Sequence, residues 1–294
     1  MKVLLPIDVL HPYKELIQEV ERVVPIKGAD IKLLYVAESS NKFEHVLKAA
    51  GKTASELDTQ LKEKAAGVLE EIGQILKSSA GNVKTQVMVG SPAQAIELIE
   101  REEQFDVIAL AAESSENHEE HPLGSTAGNI VKHAPGTIVV LRPKKGVDKP
   151  LQKVLMGLDG SDQAVNALRR FVGQFALVER KIEVALVHVV TIMGIWKFAA
   201  PTEFVAGIED NLNMAGEAIL AGGEKVLSEF GLKPSEMFIR TGEVASELIR
   251  AANDVKADAI ICGARGKGAV EHFVMGSSSY KLSQRSPYPL VIVK

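Results

Sequence analysis

Gly263, Gly266, Gly276 and Ser277 fall in the spacing G-x2-G-x9-G-S near the C-terminus, and two further hydroxyls, Ser278 and Ser279, follow directly. Glycines let a backbone approach a ligand closely and adopt positive φ, while a helix start supplies unpaired N–H donors and a favourable dipole. The chemistry open to such a set is to cradle a phosphate with main-chain groups. A second cluster, Gly157-Leu158-Asp159, ends another apolar run. An aspartate placed there can accept hydrogen bonds from ribose hydroxyls, with the base resting on apolar strand ends such as Leu158 and Val189. Together these parts specify a nucleotide.

Competing phosphate motifs fail on inspection. Gly266-Lys267-Gly268 lacks the Ser or Thr that follows lysine in a P-loop, and Gly266-x-Gly268 leads to Glu271 where the dinucleotide fingerprint requires a small residue. No G-x-S-x-G elbow is present, and the single cysteine, Cys262, has no evident histidine partner in the sequence. At a strand end it reads as a small buried residue. His188, within an apolar run, reads as a packed or capping group, and His272 as an exposed one.

The elements that must position these residues occur twice. Lys2-Val3-Leu4-Leu5-Pro6-Ile7-Asp8 matches Lys153-Val154-Leu155-Met156-Gly157-Leu158-Asp159, and Ile31 to Val36 matches Val184 to Val189. Gly90 to Ile96 matches Gly242 to Leu248, Asp106 to Leu110 matches Asp258 to Cys262, and Pro135 to Val140 matches Pro287 to Ile292. The offset stays between 151 and 153 residues, which marks duplicated domains rather than a short-period solenoid. Helical periodicity between the apolar runs, as in Leu61 to Leu76 and Met214 to Phe230, gives each half the order β-α-β-α-β-α-β-α-β. The expected fold class is α/β: two tandem doubly wound domains, each an open five-stranded, mostly parallel sheet with helices on both faces. In such sheets ligands sit beyond the carboxyl ends of the strands, where strands one and four flank a crevice. The expected domains are residues 1–143 and 153–294, joined by a basic, Pro- and Gly-containing linker at 144–152.

Composition narrows the classes further. A net charge of −4 offers no general attraction to nucleic acid or anionic membranes, and 46% hydrophobic with 24% charged residues describes a globular protein. The longest apolar run, Val184 to Trp196, is too short to span a bilayer and contains His188. The N-terminus has no basic region followed by a hydrophobic signal segment, so a cytoplasmic location is expected.

With the glycine spacing, the strand-end aspartate and the duplication in place, the sequence resembles the universal stress protein family, in its tandem two-domain form, over nearly all 294 residues. The family's ATP-binding pattern G-x2-G-x9-G-(S/T) is matched without departure by Gly263, Gly266, Gly276 and Ser277. The resemblance implies an adenine-nucleotide alpha-hydrolase-like fold and ATP as ligand; Mg2+ is the ion expected beside the nucleotide. It places ribose and adenine against Asp159 and Val189 and the triphosphate on the glycine loop. It also implies that the two halves pair about a pseudo-twofold axis through their last strands, Ile138 to Leu141 and Leu290 to Val293, with a homodimer as a further assembly.

The first half departs from the pattern. Ala112 and Ser115 are read opposite Gly263 and Gly266, the loop before Gly124-Ser125-Thr126 is read as one residue shorter, and Glu113, Glu116, Glu119 and Glu120 repel phosphate. Asp8 and Gly124-Ser125 persist, yet only the second half is expected to bind ATP well. His118-x2-His121 reads as a solvated loop before a metal site, and Met193, Trp196 and Phe198 as packing residues. The leading expectation is therefore a nucleotide-responsive stress protein. Its rivals are a weak ATP hydrolase or nucleotidyl- or phosphoryl-transfer enzyme using Asp159 to hold Mg2+, and an interaction scaffold with an incidental nucleotide.

Overall fold

The computed structural model describes residues 1–294 except 10, 50, 52, 113–122, 144, 145, 148, 192–201 and 267–274. The Glu113 to His121 acidic segment, Lys144, Lys145, Met193, Trp196, Phe198, Lys267, Gly268, Glu271 and His272 therefore lie outside the described residues. The chain divides into two compact units with the boundary between residues 148 and 149.

The first unit contains β1 (Lys2–Pro6), α1 (Lys14–Val23), β2 (Asp30–Ala37), α2 (Glu44–Ala49) and α3 (Ala54–Leu76), then β3 (Asn82–Val89), α4 (Pro92–Glu103), β4 (Val107–Ala111), α5 (Ser125–His133) and β5 (Thr137–Leu141). Its strands lie in the order β3-β2-β1-β4-β5, all parallel. Such runs form strands because β-branched and leucine residues pack on a sheet buried on both faces: Val3, Leu4, Leu5, Val107 and Ile108 are fully or almost fully buried. Helix α3 begins earlier than its apolar periodicity suggests. Thr53 accepts from the Glu56 amide while the Glu56 carboxylate accepts from the Thr53 amide, a capping box that extends the helix past its buried face.

The second unit contains β6 (Lys153–Leu158), α6 (Asp162–Gln174), α7 (Leu177–Arg180), β7 (Glu183–Val190) and α8 (Thr202–Glu229), then β8 (Pro234–Thr241), α9 (Val244–Asp254), β9 (Ala259–Gly263), α10 (Ser277–Arg285) and β10 (Leu290–Val293). Its order, β8-β7-β6-β9-β10, repeats the first unit's, again with parallel pairs. Each unit is thus the expected five-stranded α/β layer. Alternation along β6 shows both faces covered: a Cβ on Gly157 would touch Leu248 of α9, whereas Leu158 lies against Gly223 of α8.

Matching aspartates pin the first strand of each unit. The Lys2 amide donates to Asp106 Oδ2 at 2.7 Å, and the Gln152 and Lys153 amides donate to Asp258 Oδ2 at 2.8 and 3.0 Å. Each carboxylate thereby satisfies an amide at the open edge of a strand start. Strands one and four are held in register at the end opposite the candidate site.

Candidate nucleotide site

Strand β6 ends at Leu158, and Asp159 follows at the carboxyl edge of the sheet. Its Oδ1 accepts from the Ser161 amide at 3.0 Å and the Ser161 hydroxyl at 2.6 Å. Between them Gly160 takes φ +79, a left-handed conformation that glycine adopts without Cβ strain. The Ser161 Oγ in turn accepts from the Ala164 amide at 3.2 Å and caps α6. Asp-Gly-Ser is thus one turn that both starts a helix and fixes a carboxylate. Ser161 belongs to the site's framework, although the sequence reading gave it no role. The signal for it was a serine two residues after an aspartate with glycine between.

The other carboxylate oxygen faces the glycine loop. A Cβ on Gly266 would overlap Asp159 Oδ2, so the loop approaches the aspartate more closely than any other residue allows. Gly263 closes β9 against α6, where its Cβ would meet Arg265 O at 3.2 Å and Ala164 Cα at 3.7 Å. Gly276 sits 3.4 Å, by the same measure, from Ala264 O. None of the three has φ in the left-handed range. The expectation of positive φ at these positions is corrected: what excludes a side chain at Gly266 and crowds one at Gly263 and Gly276 is close approach.

Helix α10 is drawn onto this strand end by two bonds. The Gly276 amide donates to Ala264 O at 2.7 Å, and the Ser279 hydroxyl donates to Gly263 O at 2.8 Å. Ser279 was expected among the ligand hydroxyls; its proton is given to the framework. Among the described residues no side chain caps α10, whose N-cap is Gly276, and Tyr280 is the residue whose amide returns to Gly276 O. The amides of Ser277, Ser278 and Ser279 therefore lie in the turn that has no intrahelical acceptors. The site gathers Asp159, Gly263, Gly266, Gly276, Ser277, Ser278 and Ser279 at one sheet edge, with the exposed Arg265 in the loop. Leu158 is buried beneath α8, and Val189, near the end of β7, is half-buried.

Two nearby groups lie behind the site rather than in it. Burial pushes the Cys262 thiol up to about 12, against a smaller opposing effect of the Ser279 hydroxyl, so it stays protonated and unreactive. His188 Nδ1 lies 2.7 Å from Leu158 O. A carbonyl only accepts, so Nδ1 carries the hydrogen.

The first unit carries different residues at several of these positions, and its ladder corrects the sequence alignment. Ala111 pairs with Leu141 and the Ala112 amide donates to Leu141 O at 3.0 Å; Gly263 pairs with Val293 and the Ala264 amide donates to Val293 O at 2.9 Å. Ala111, not Ala112, therefore stands opposite Gly263, and by the same offset Ser114, outside the described residues, falls opposite Gly266 rather than Ser115. Gly124 opposes Gly276 as the N-cap of α5, so the two loops have equal length and the expected one-residue deletion does not exist. Ala127 occupies the place of Ser279 and has no hydroxyl to reach the strand. Asp8 is followed by Val9 rather than glycine; it is exposed, and its Oδ2 lies 2.8 Å from His11 Nδ1. From the aspartate to the next helix the chain runs over residues 8–13 in the first unit and over 159–161 in the second.

Comparison with known proteins agrees with this duplication. The universal stress protein family model matches residues 1–142 and again 150–294. The universal stress protein YxiE of Bacillus subtilis is 29% identical over 148 residues, which is 48% of this chain and 98% of that protein. A universal stress protein from Archaeoglobus fulgidus superposes with a TM-score of 0.68 over 100% of this chain and 96% of its own, at 19% identity. A functionally unknown protein from Pseudomonas aeruginosa PAO1 gives 0.69 at 11% identity, covering 100% and 92%. At those identities the superpositions speak for the fold alone, while the family match spans both halves: the chain belongs to the universal stress protein family and carries the domain twice in tandem.

Proposed function

We propose that the second unit, residues 153–294, binds ATP, and that the bound nucleotide favours one conformation or assembly of a stress-response protein. The observation that carries this reading is the meeting of Gly266 with Asp159 beside an uncapped helix start. Phosphate charge is accommodated by the first-turn amides of α10 and by the helix dipole. The ribose hydroxyls donate to Asp159, and the base rests on Val189. The first unit, with a paired, exposed aspartate and alanines at positions 111 and 127, does not bind ATP well. Among the described residues no group of three or more His, Cys, Asp or Glu side chains gathers. A cytoplasmic location fits the absence, among the described residues, of a helix long and apolar enough to cross a membrane.

Binding alone is enough for such a role. A ligand that prefers one state stabilises it by about 2.7 kcal/mol at 100 times its Kd. The test is to release and count small molecules from protein purified without added nucleotide, and to titrate ATP calorimetrically. One ATP per chain is expected, lost in Gly276→Val. Two per chain defeat the silent first unit, and no binding at all defeats the proposal.

A further inference from the structure

His188 stands on β7 directly across from Leu158, the residue before Asp159. Its Nδ1–H donates to the Leu158 carbonyl at 2.7 Å, at the point where β6 ends and the chain turns toward Asp159, Gly160 and Ser161. The ring fits there because α8 presents a glycine: a Cβ on Gly216 would lie 3.0 Å from His188 Cδ2 and 2.8 Å from Ile239 Cδ1. Two turns further along the same face of α8, Gly223 makes the same room for Leu158 and Leu186. These contacts fix the last peptide of β6 from the side, while Ser161 and Gly266 bracket the carboxylate from above.

The first unit provides the contrast. Pro6 pairs with Leu34 as Gly157 pairs with Val187, so Tyr35 occupies the place of His188. A phenol carries its donor at the far end of the ring and has none at the position of Nδ1. Tyr35 is buried, and the nearby Asp8 charge adds to burial in raising its hydroxyl above the usual range. In that unit the aspartate is exposed and paired with His11 instead. The imidazole clamp thus accompanies the pinned aspartate, and its absence accompanies the exposed one.

We infer that His188 is a positioning residue for nucleotide binding, acting through the Leu158 carbonyl to hold Asp159 at the ribose. This inference rests on the ATP site proposed for the second unit. An Asn side chain places an N–H donor where Nδ1 stands, whereas Gln carries its donor one bond further out. ATP affinity is therefore to be measured calorimetrically for the full chain as wild type, His188→Asn, His188→Gln and His188→Leu, with the melting temperature of each recorded without nucleotide. His188→Asn is expected within about twofold of wild type, and His188→Gln and His188→Leu about three- to tenfold weaker, the effect of one lost hydrogen bond. Equal affinity in Asn and Gln variants, whether both match wild type or both are weak, overturns the positioning role. The Asn and Gln pair keeps the comparison open even where the Leu variant does not fold. Wild-type protein that binds no ATP overturns the ATP proposal itself, a result distinct from either pattern among the variants.

Discussion

Asp159 is held from two directions, with Oδ1 accepting from Ser161 and Oδ2 against Gly266. Gly266 lies outside the left-handed region, so alanine is compatible with its backbone, but the methyl group displaces the carboxylate. Gly266→Ala is expected to fold with near wild-type melting and to weaken ATP binding about tenfold, the cost of a misplaced charge-assisted hydrogen bond, as titration calorimetry would record. Ser161→Ala removes both the cap of α6 and a partner of Asp159. Loss of the cap costs about 1 kcal/mol, or roughly 2–4 °C in Tm, measurable by thermal melting without nucleotide. The Cys262 thiol, pushed up to about 12 by burial, has almost no thiolate at pH 8. Iodoacetamide at that pH should leave it unlabelled in the folded protein and label it rapidly in denaturant.

Among the elements, the alternation of strands and helices was legible because apolar runs and helical periodicities recur twice with nearly one offset. The glycine loop was legible for the same reason, since strand, spacing and serines occur in order. The fine register was not. Between Ala111 and Gly124 the first half has few landmarks, and only the bonds of Ala112 to Leu141 and Ala264 to Val293 fix which residue stands opposite Gly263. The division of labour among Ser277, Ser278 and Ser279 was equally hidden, because a hydroxyl that braces a strand and one that faces a ligand look alike in sequence. Helix α9 shows a related case: Glu243 is its N-cap and accepts from the Ser246 amide and hydroxyl at 2.9 and 2.8 Å. Burial tends to raise that carboxyl, but the Ser246 bonds and the Lys281 ammonium outweigh it and hold it below the usual range. A lowered folded value stabilises the protein above the unfolded value and loses that contribution as pH falls through the folded one. Glu243→Gln should therefore narrow the difference in Tm between pH 7 and pH 4, as calorimetric scans at the two pH values would show.

For the whole molecule, the tandem arrangement turns one family site into a comparison between two versions in a single chain. ATP should slow hydrogen exchange in peptides from residues 153–294, foremost those of β9 and α10, and leave peptides from residues 1–112 and 123–143 unchanged within the same sample. Protection of both halves in proportion would contradict a silent first unit. The equal lengths of the two loops, set beside the unequal links from β1 to α1 and from β6 to α6, have a further consequence. The halves differ by two separable kinds of edit: substitution around the glycine loop, and added length in the turn that carries the aspartate. Point changes such as Ala111→Gly and Ala127→Ser reach only the first. A first unit rebuilt to grip ATP also needs the six residues from Asp8 to the start of α1 cut to a three-residue Asp-Gly-Ser turn, so the two halves are not interchangeable by side-chain exchange alone.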